Sequence, residues 1–150
     1  MRVVKSWCAA LALLLSGALV IARAAVQVSQ QSETAERFLA VDVFVDSGDA
    51  LLAAWQVELA DTSGRARVVG VEGGEHAAFQ EAPYYDPSAL QRGRIVLASF
   101  HVGAELPSGR TRVARVHFLV SGGEPALEIT PVTAATQGGG RIDIRTELSR

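Results

Sequence analysis

From Phe38 to Asp46 apolar and polar positions alternate strictly, with Leu39, Val41, Val43 and Val45 on one side and Ala40, Asp42, Phe44 and Asp46 on the other. A period of two is what a strand buried on one face requires, because successive side chains leave opposite faces of the pleat. The same period runs through Leu51 to Ala60. There Leu51, Ala53, Trp55, Val57 and Leu59 oppose Leu52, Ala54, Gln56 and Glu58. Asp46-Ser47-Gly48-Asp49 between the two runs has the small polar residues of a tight turn, so they are expected to pair as antiparallel neighbours. Asp61-Thr62-Ser63-Gly64 closes the second run. Arg65 to Glu72 then predicts a third strand, with Ala66, Val68 and Gly70 opposite Arg67, Val69 and Val71.

The middle of the chain is less regular. Gly73-Gly74 breaks the third strand, Ala77 to Phe79 reads as a short edge strand, and Ala82-Pro83-Tyr84-Tyr85-Asp86-Pro87 reads as a loop. Asp86 followed by Pro87 suits the start of a single helical turn through Ser88-Ala89-Leu90-Gln91. Arg94 to Val102 is apolar on both faces, the pattern of a central strand covered on two sides. Arg110 to Ser121 alternates Ala114, Val116, Phe118 and Val120 against Val113, Arg115, His117 and Leu119. Leu127 to Val132 and Arg141 to Leu148 complete the series. Short strands about every 10 residues, separated by Gly, Pro and Asp turns, spell an all-β sandwich or barrel. No long helical pattern interrupts them, which excludes a parallel α/β sheet.

The first 24 residues depart from this pattern. Arg2 and Lys5 precede an unbroken apolar stretch from Cys8 to Ala22, and Ala22-Arg23-Ala24 supplies small residues around a cleavage point. These are the parts of an export signal, so residues 1–24 are expected to be a cleaved leader and 25–150 the mature domain. The apolar run is shorter than the roughly 20 residues of a spanning helix. Export implies a periplasmic or extracellular site in a bacterium. Within the domain, 25–36 is either a tether or a first edge strand through Val26-Gln27-Val28.

Charge changes the picture further. The chain carries 14 basic and 16 acidic residues. Three of the bases (Arg2, Lys5 and Arg23) lie in the leader, so the mature domain has 14 − 3 = 11 bases and a net charge of 11 − 16 = −5. A mildly acidic domain without a cluster of bases argues against nucleic acid as partner. The one cysteine, Cys8, also lies in the leader. The mature domain therefore has no disulfide and no thiol chemistry.

Catalytic patterns are missing. His76, His101 and His117 are scattered, with none two to four residues from another His or from a Cys, so no local zinc motif exists. There is no Gly-x-Ser-x-Gly elbow. Gly138-Gly139-Gly140 precedes a strand and no lysine follows it, unlike a phosphate loop. Asp42 and Asp46 would stand about 13 Å apart on one strand at about 3.3 Å per residue, too far for paired glycosidase carboxylates. A non-catalytic binding module without an obligatory cofactor is the expectation. Calcium is the one metal considered, at Asp46, Asp49 and Asp61, if these carboxylates meet at one end of the sandwich.

Several runs carry a family likeness. Val41-Asp42-Val43-Phe44-Val45-Asp46-Ser47-Gly48-Asp49-Ala50-Leu51 followed by Trp55-Gln56-Val57-Glu58-Leu59 resembles the opening strands of cohesin-like domains. So do Val68 to Gly74, Gly93 to Phe100 and Arg112 to Phe118, and the likeness extends over residues 26–148. Where that family often has a Tyr-Asp-Pro turn, this chain has Ala60-Asp61-Thr62-Ser63-Gly64, sharing the aspartate. The resemblance implies a jelly-roll β-sandwich, related to carbohydrate-binding modules, with a binding role.

Pattern and resemblance together predict an all-β jelly-roll sandwich of about eight or nine antiparallel strands, with at most one helical turn near residues 86–91. Two kinds of partner are open. Phe44, Arg115 and His117 fall on the polar side of their strands, where an outward aromatic could mark a protein-binding sheet face. Tyr84 and Tyr85 lie in a loop between prolines, where exposed rings could stack on a polysaccharide. Trp55 belongs to the apolar face and is expected in the core.

Overall fold

Strands form wherever the apolar alternation is longest. A computed structural model describes residues 35–150. The expected leader and the run Val26-Gln27-Val28 lie outside the described residues. The seven strands are β1 (Glu36–Asp46), β2 (Ala54–Asp61), β3 (Ala66–Gly73), β4 (Arg94–Phe100), β5 (Arg110–Ser121), β6 (Leu127–Ala135) and β7 (Arg145–Ser149). They make two sheets, in the orders β3-β5-β1-β7 and β4-β2-β6. Every pairing between them is antiparallel.

The core lies between the sheets. Val41, Val43 and Val45 of β1 and Val116, Phe118 and Val120 of β5 are buried on one side. Trp55, Val57 and Leu59 of β2 with Ile95 and Leu97 of β4 are buried on the other, as the period of two requires. Each such side chain contributes roughly 1.5–3 kcal/mol when fully removed from water. In β5 the register against β1 shifts, so that Phe44 lies opposite Arg112 and Val43 opposite Ala114. The extra residue, Val113, turns inward as well, and Val113 and Ala114 are both fully buried.

The expected hairpin of β1 with β2 does not form. The two strands lie in opposite sheets, because the segment after Asp46 crosses from one to the other. Its backbone is tied to the loop before β5 and to the end of β6: Ser47 N–H donates to Gly109, Leu52 N–H to Pro107 and Ala53 N–H to Ala135. Leu52 and Ala53 are both buried while Leu51 is exposed, a sequence of burial that no continuing strand allows. Apolar alternation reports which way a side chain faces, not which sheet the strand joins.

Three further expectations are corrected. Ala77–Phe79 is a single 3-10 turn, started by His76, whose Nδ1 accepts the Ala78 N–H at 3.2 Å. This turn drives Phe79 into the core, its ring edge-on to Trp55 with centroids 6.1 Å apart. Gly73 makes it possible, because a Cβ there would stand 2.0 Å from the Gln80 carbonyl oxygen. β4 is an edge strand of its sheet, not a central one, and Val96 and Phe100 on its outer side are exposed. The last strand begins at Arg145, since Arg141 makes only an isolated bridge to Ala135. These changes leave seven strands among the described residues instead of eight or nine. The helical turn expected near 86–91 is present as a 3-10 turn at Pro87–Ala89, with Asp86 accepting the Ser88 N–H at 2.8 Å.

The two faces of β4 give a direct check. Leu97→Ala empties a fully buried site and is expected to cost about 2–5 kcal/mol, whereas Val96→Ala should stay within about 0.5 kcal/mol. Chemical denaturation of the two variants measures both. Equal losses would contradict the inward and outward assignment.

Candidate functional site

Both sheets turn an outer face to solvent, and their chemistry differs. On the four-stranded sheet, β1 and β5 set Asp42 opposite Arg115 and Ala40 opposite His117, so Phe44, Arg115 and His117 do share one face. Their polar groups are already engaged. Arg115 holds Asp42 with two hydrogen bonds of 2.7 and 3.0 Å, and Arg112 stands 3.7 Å from the same carboxylate. His117 Nε2 is 2.7 Å from Glu72. The guanidinium carbon of Arg110 lies 3.5 Å from the centre of the Phe44 ring while Arg110 also binds Glu147 with two hydrogen bonds. Phe44 is thus roofed by a cation, an arrangement worth about 0.5–1 kcal/mol at an exposed site. The arrangement is a lattice of paired charges.

The outer face of the three-stranded sheet is apolar toward one end. Register places Ala54 between Phe100 and Ala135, and Gln56 between Ala98 and Thr133. Tyr84 joins this face through two backbone hydrogen bonds with Ala98, of 2.7 and 3.0 Å, which make it a one-residue extension of the sheet beside β4. Its ring stacks on Phe100 with centroids 6.1 Å apart and planes 12° from parallel. The two rings are 67% and 60% exposed, so they form a ridge that water covers poorly. Beside it lies a hollow of about 230 Å³ floored by Ala54, Ala98 and Ala135 and edged by Gln56 and Thr133. Tyr85 behaves differently and packs against the core cluster. Phe100 is hidden in the sequence by a run that is apolar on both faces, the pattern of a covered strand. Its spacing from Val96 and Ala98 was the available clue.

The three aspartates considered for calcium are not brought together. Asp46 and Asp49 lie where β1 ends, and Asp61 lies at the far end of β2, whose eight residues span roughly 25 Å at about 3.3 Å each. No group of three His, Cys, Asp or Glu residues that could hold a metal occurs among the described residues. Asp46 instead accepts the Gly48 N–H and an Arg145 hydrogen bond. Asp61 accepts from Ser63 N–H and Oγ–H and from the Arg65, Ala66 and Ala126 N–H groups, at 2.6–3.1 Å. It organises the turn after β2 and ties it to the start of β6.

No protein-family model matches the sequence, and no curated protein matches it. Similarity is found among solved structures. A chain of the CaDoc0917–CaCohA2 complex aligns with a TM-score of 0.55 and 13% identity, covering 71% of this chain and 82% of that one. A chain of the Coh-OlpA–Doc918 complex, a type I cohesin–dockerin complex from Clostridium thermocellum, gives the same values. The seventh ScaB type I cohesin from Pseudobacteroides cellulosolvens aligns at 0.51 and 12% identity, over 71% of this chain and 74% of its own. The domain has a cohesin-like fold, an all-β sandwich of the jelly-roll kind.

The carboxylates give this fold a defined response to acid. Arg115 hydrogen bonds hold Asp42 below the ordinary carboxylate range, the Gly48 N–H does so for Asp46, and Arg110 does so for Glu147. At Asp61 burial pushes upward, yet the donors from Ser63, Ala66 and Arg65 outweigh it and the group is also lowered. A lowered folded-state value means that the stabilisation is present above the unfolded carboxylate value, near 4, and is lost as pH falls through the folded one. The melting temperature should be level from about pH 7 to pH 5 and fall below about pH 4. Asp61→Ala, which leaves the buried Ala66 N–H without its acceptor and the exposed Ser63, Arg65 and Ala126 donors to water, should cost about 1–3 kcal/mol at neutral pH. It should also flatten the acid limb. Thermal melts of both proteins across that range decide the matter, and parallel acid limbs would remove Asp61 from the account.

Proposed function

We propose that this chain is an exported, non-catalytic protein-recognition module that docks its partner on the outer face of the β4-β2-β6 sheet. The observation that carries the reading is the exposed Tyr84–Phe100 stack beside an alanine-floored hollow. Burying two rings and the hollow against a partner releases water from apolar surface, the dominant favourable term in most protein association. The four-stranded face has less to offer, because its arginines and carboxylates would have to leave existing partners before they could serve a new one. Solved relatives in fold include complexes of cohesin with dockerin, which agrees with a protein partner. The module works without a cofactor. The leader-like first 24 residues support export to the periplasm or beyond.

The expected outcome is selective loss. Immobilised wild-type chain should retain a binding protein from the envelope or culture fluid of the producing cell. The Tyr84→Ala/Phe100→Ser pair should weaken that capture at least about 30-fold, corresponding to 2 kcal/mol or more for a central aromatic anchor. Arg115→Gln should change it less than about three-fold. The melting temperatures of all three proteins check that each is folded. Undiminished capture by the aromatic variant would refute the docking face, and retention on a polysaccharide panel that vanishes in this variant would assign the ridge to sugar. Mass spectrometry of the exported protein should find its first residue at Ala25.

A further inference from the structure

The Tyr84–Phe100 ridge has a second hollow on its other side. It measures about 280 Å³ and is lined by Phe79, Glu81, Tyr84, Ser99, Phe100 and His101, with alanines between them. Its chemistry is opposite to that of the first hollow, whose floor is alanine. Glu81 is exposed and takes part in no ion pair or side-chain hydrogen bond among the described residues, whereas Asp42, Asp46, Glu58, Glu124 and Glu147 are each held by arginine.

We infer that the partner docked on this face brings a basic side chain, arginine or lysine, into the second hollow, next to an aliphatic side chain that fills the first. The inference rests on the docking reading above. A cation there meets a carboxylate with no competing partner beside the rings of Tyr84 and Phe100, which line the same hollow, and the negative charge and the aromatic surface both attract it. The Ser99 hydroxyl and the His101 ring add hydrogen-bond acceptors for a guanidinium or ammonium group. A neutral or acidic side chain would leave Glu81 partly desolvated and unpaired, so the same hollow discriminates against it. The net charge of −5 after loss of the leader, 11 bases against 16 acids, draws a basic partner from a distance and makes association sensitive to salt.

The test uses two capped peptides, acetyl-Leu-Ala-Arg-amide and its citrulline counterpart, titrated into the full isotope-labelled chain and followed by amide chemical shifts. Citrulline keeps the shape of arginine and removes the charge. The arginine peptide should shift the signals of Glu81, Ser99 and His101 and bind about five-fold tighter than the citrulline peptide, the effect of one exposed charge pair. Glu81→Gln should abolish that difference and leave citrulline-peptide binding unchanged. Equal binding of the two peptides, binding of neither, or a preference for arginine that survives Glu81→Gln would each overturn the inference. If partner capture still depends on Phe100 in that event, the docking face stands and only the basic contact is lost.

Discussion

Contact between two apolar sheet faces, with no covalent tie across them, is the constraint from which the remaining features follow. The only cysteine is Cys8, in the leader-like segment, so no disulfide joins the sheet of β1 and β5 to that of β2 and β4, and packing of their inner faces carries most of the contact. Val43, Val116, Phe118, Val57 and Leu97 are fully buried in that contact, and Trp55 is nearly so. The contact also determines where the chain crosses. Leu52 and Ala53 are buried in succession because they pass through the rim of the sandwich, where both neighbours of a residue can face inward. The 3-10 turn that carries Phe79 closes a gap over Trp55 that no strand fills.

With the inner faces committed to packing, the outer faces became free to diverge. One is a mesh of arginine–carboxylate pairs that satisfy one another. The other keeps its apolar residues unmatched near Phe100 and places Tyr84 beside them through a two-hydrogen-bond extension of the sheet. The contrast follows from register. Arg112 and Arg115 of β5 both reach Asp42 of β1, while Ala54 of β2 is flanked only by Phe100 and Ala135.

Much of this was legible in the residues. The alternation in 38–46 and 114–120 predicted which side chains are buried, and Asp86-Pro87 predicted its helical turn. Sheet membership was not legible, since a turn-like Asp46-Ser47-Gly48-Asp49 serves a crossing as well as a hairpin. The environment of β4 was illegible for a related reason: Val96, Ala98 and Phe100 are apolar although the outer face of an edge strand leaves them uncovered. Phe44 read as an outward aromatic, and it is one, but no local pattern revealed the Arg110 cation lying over it. The three aspartates suggested a metal only because sequence order hides that β2 carries Asp61 to the opposite end.

Glu124 binds Arg37 near the start of β1 and Arg150 at the end of the chain, both at 2.7 Å. The first and last described strands run antiparallel and side by side, so β7 ends heading toward the pole at which β1 begins. Tension applied between them would peel β7 from β1 one hydrogen bond at a time instead of shearing the whole ladder at once. A tether at either end would hold the domain by this pole, with the Tyr84–Phe100 ridge carried toward the other.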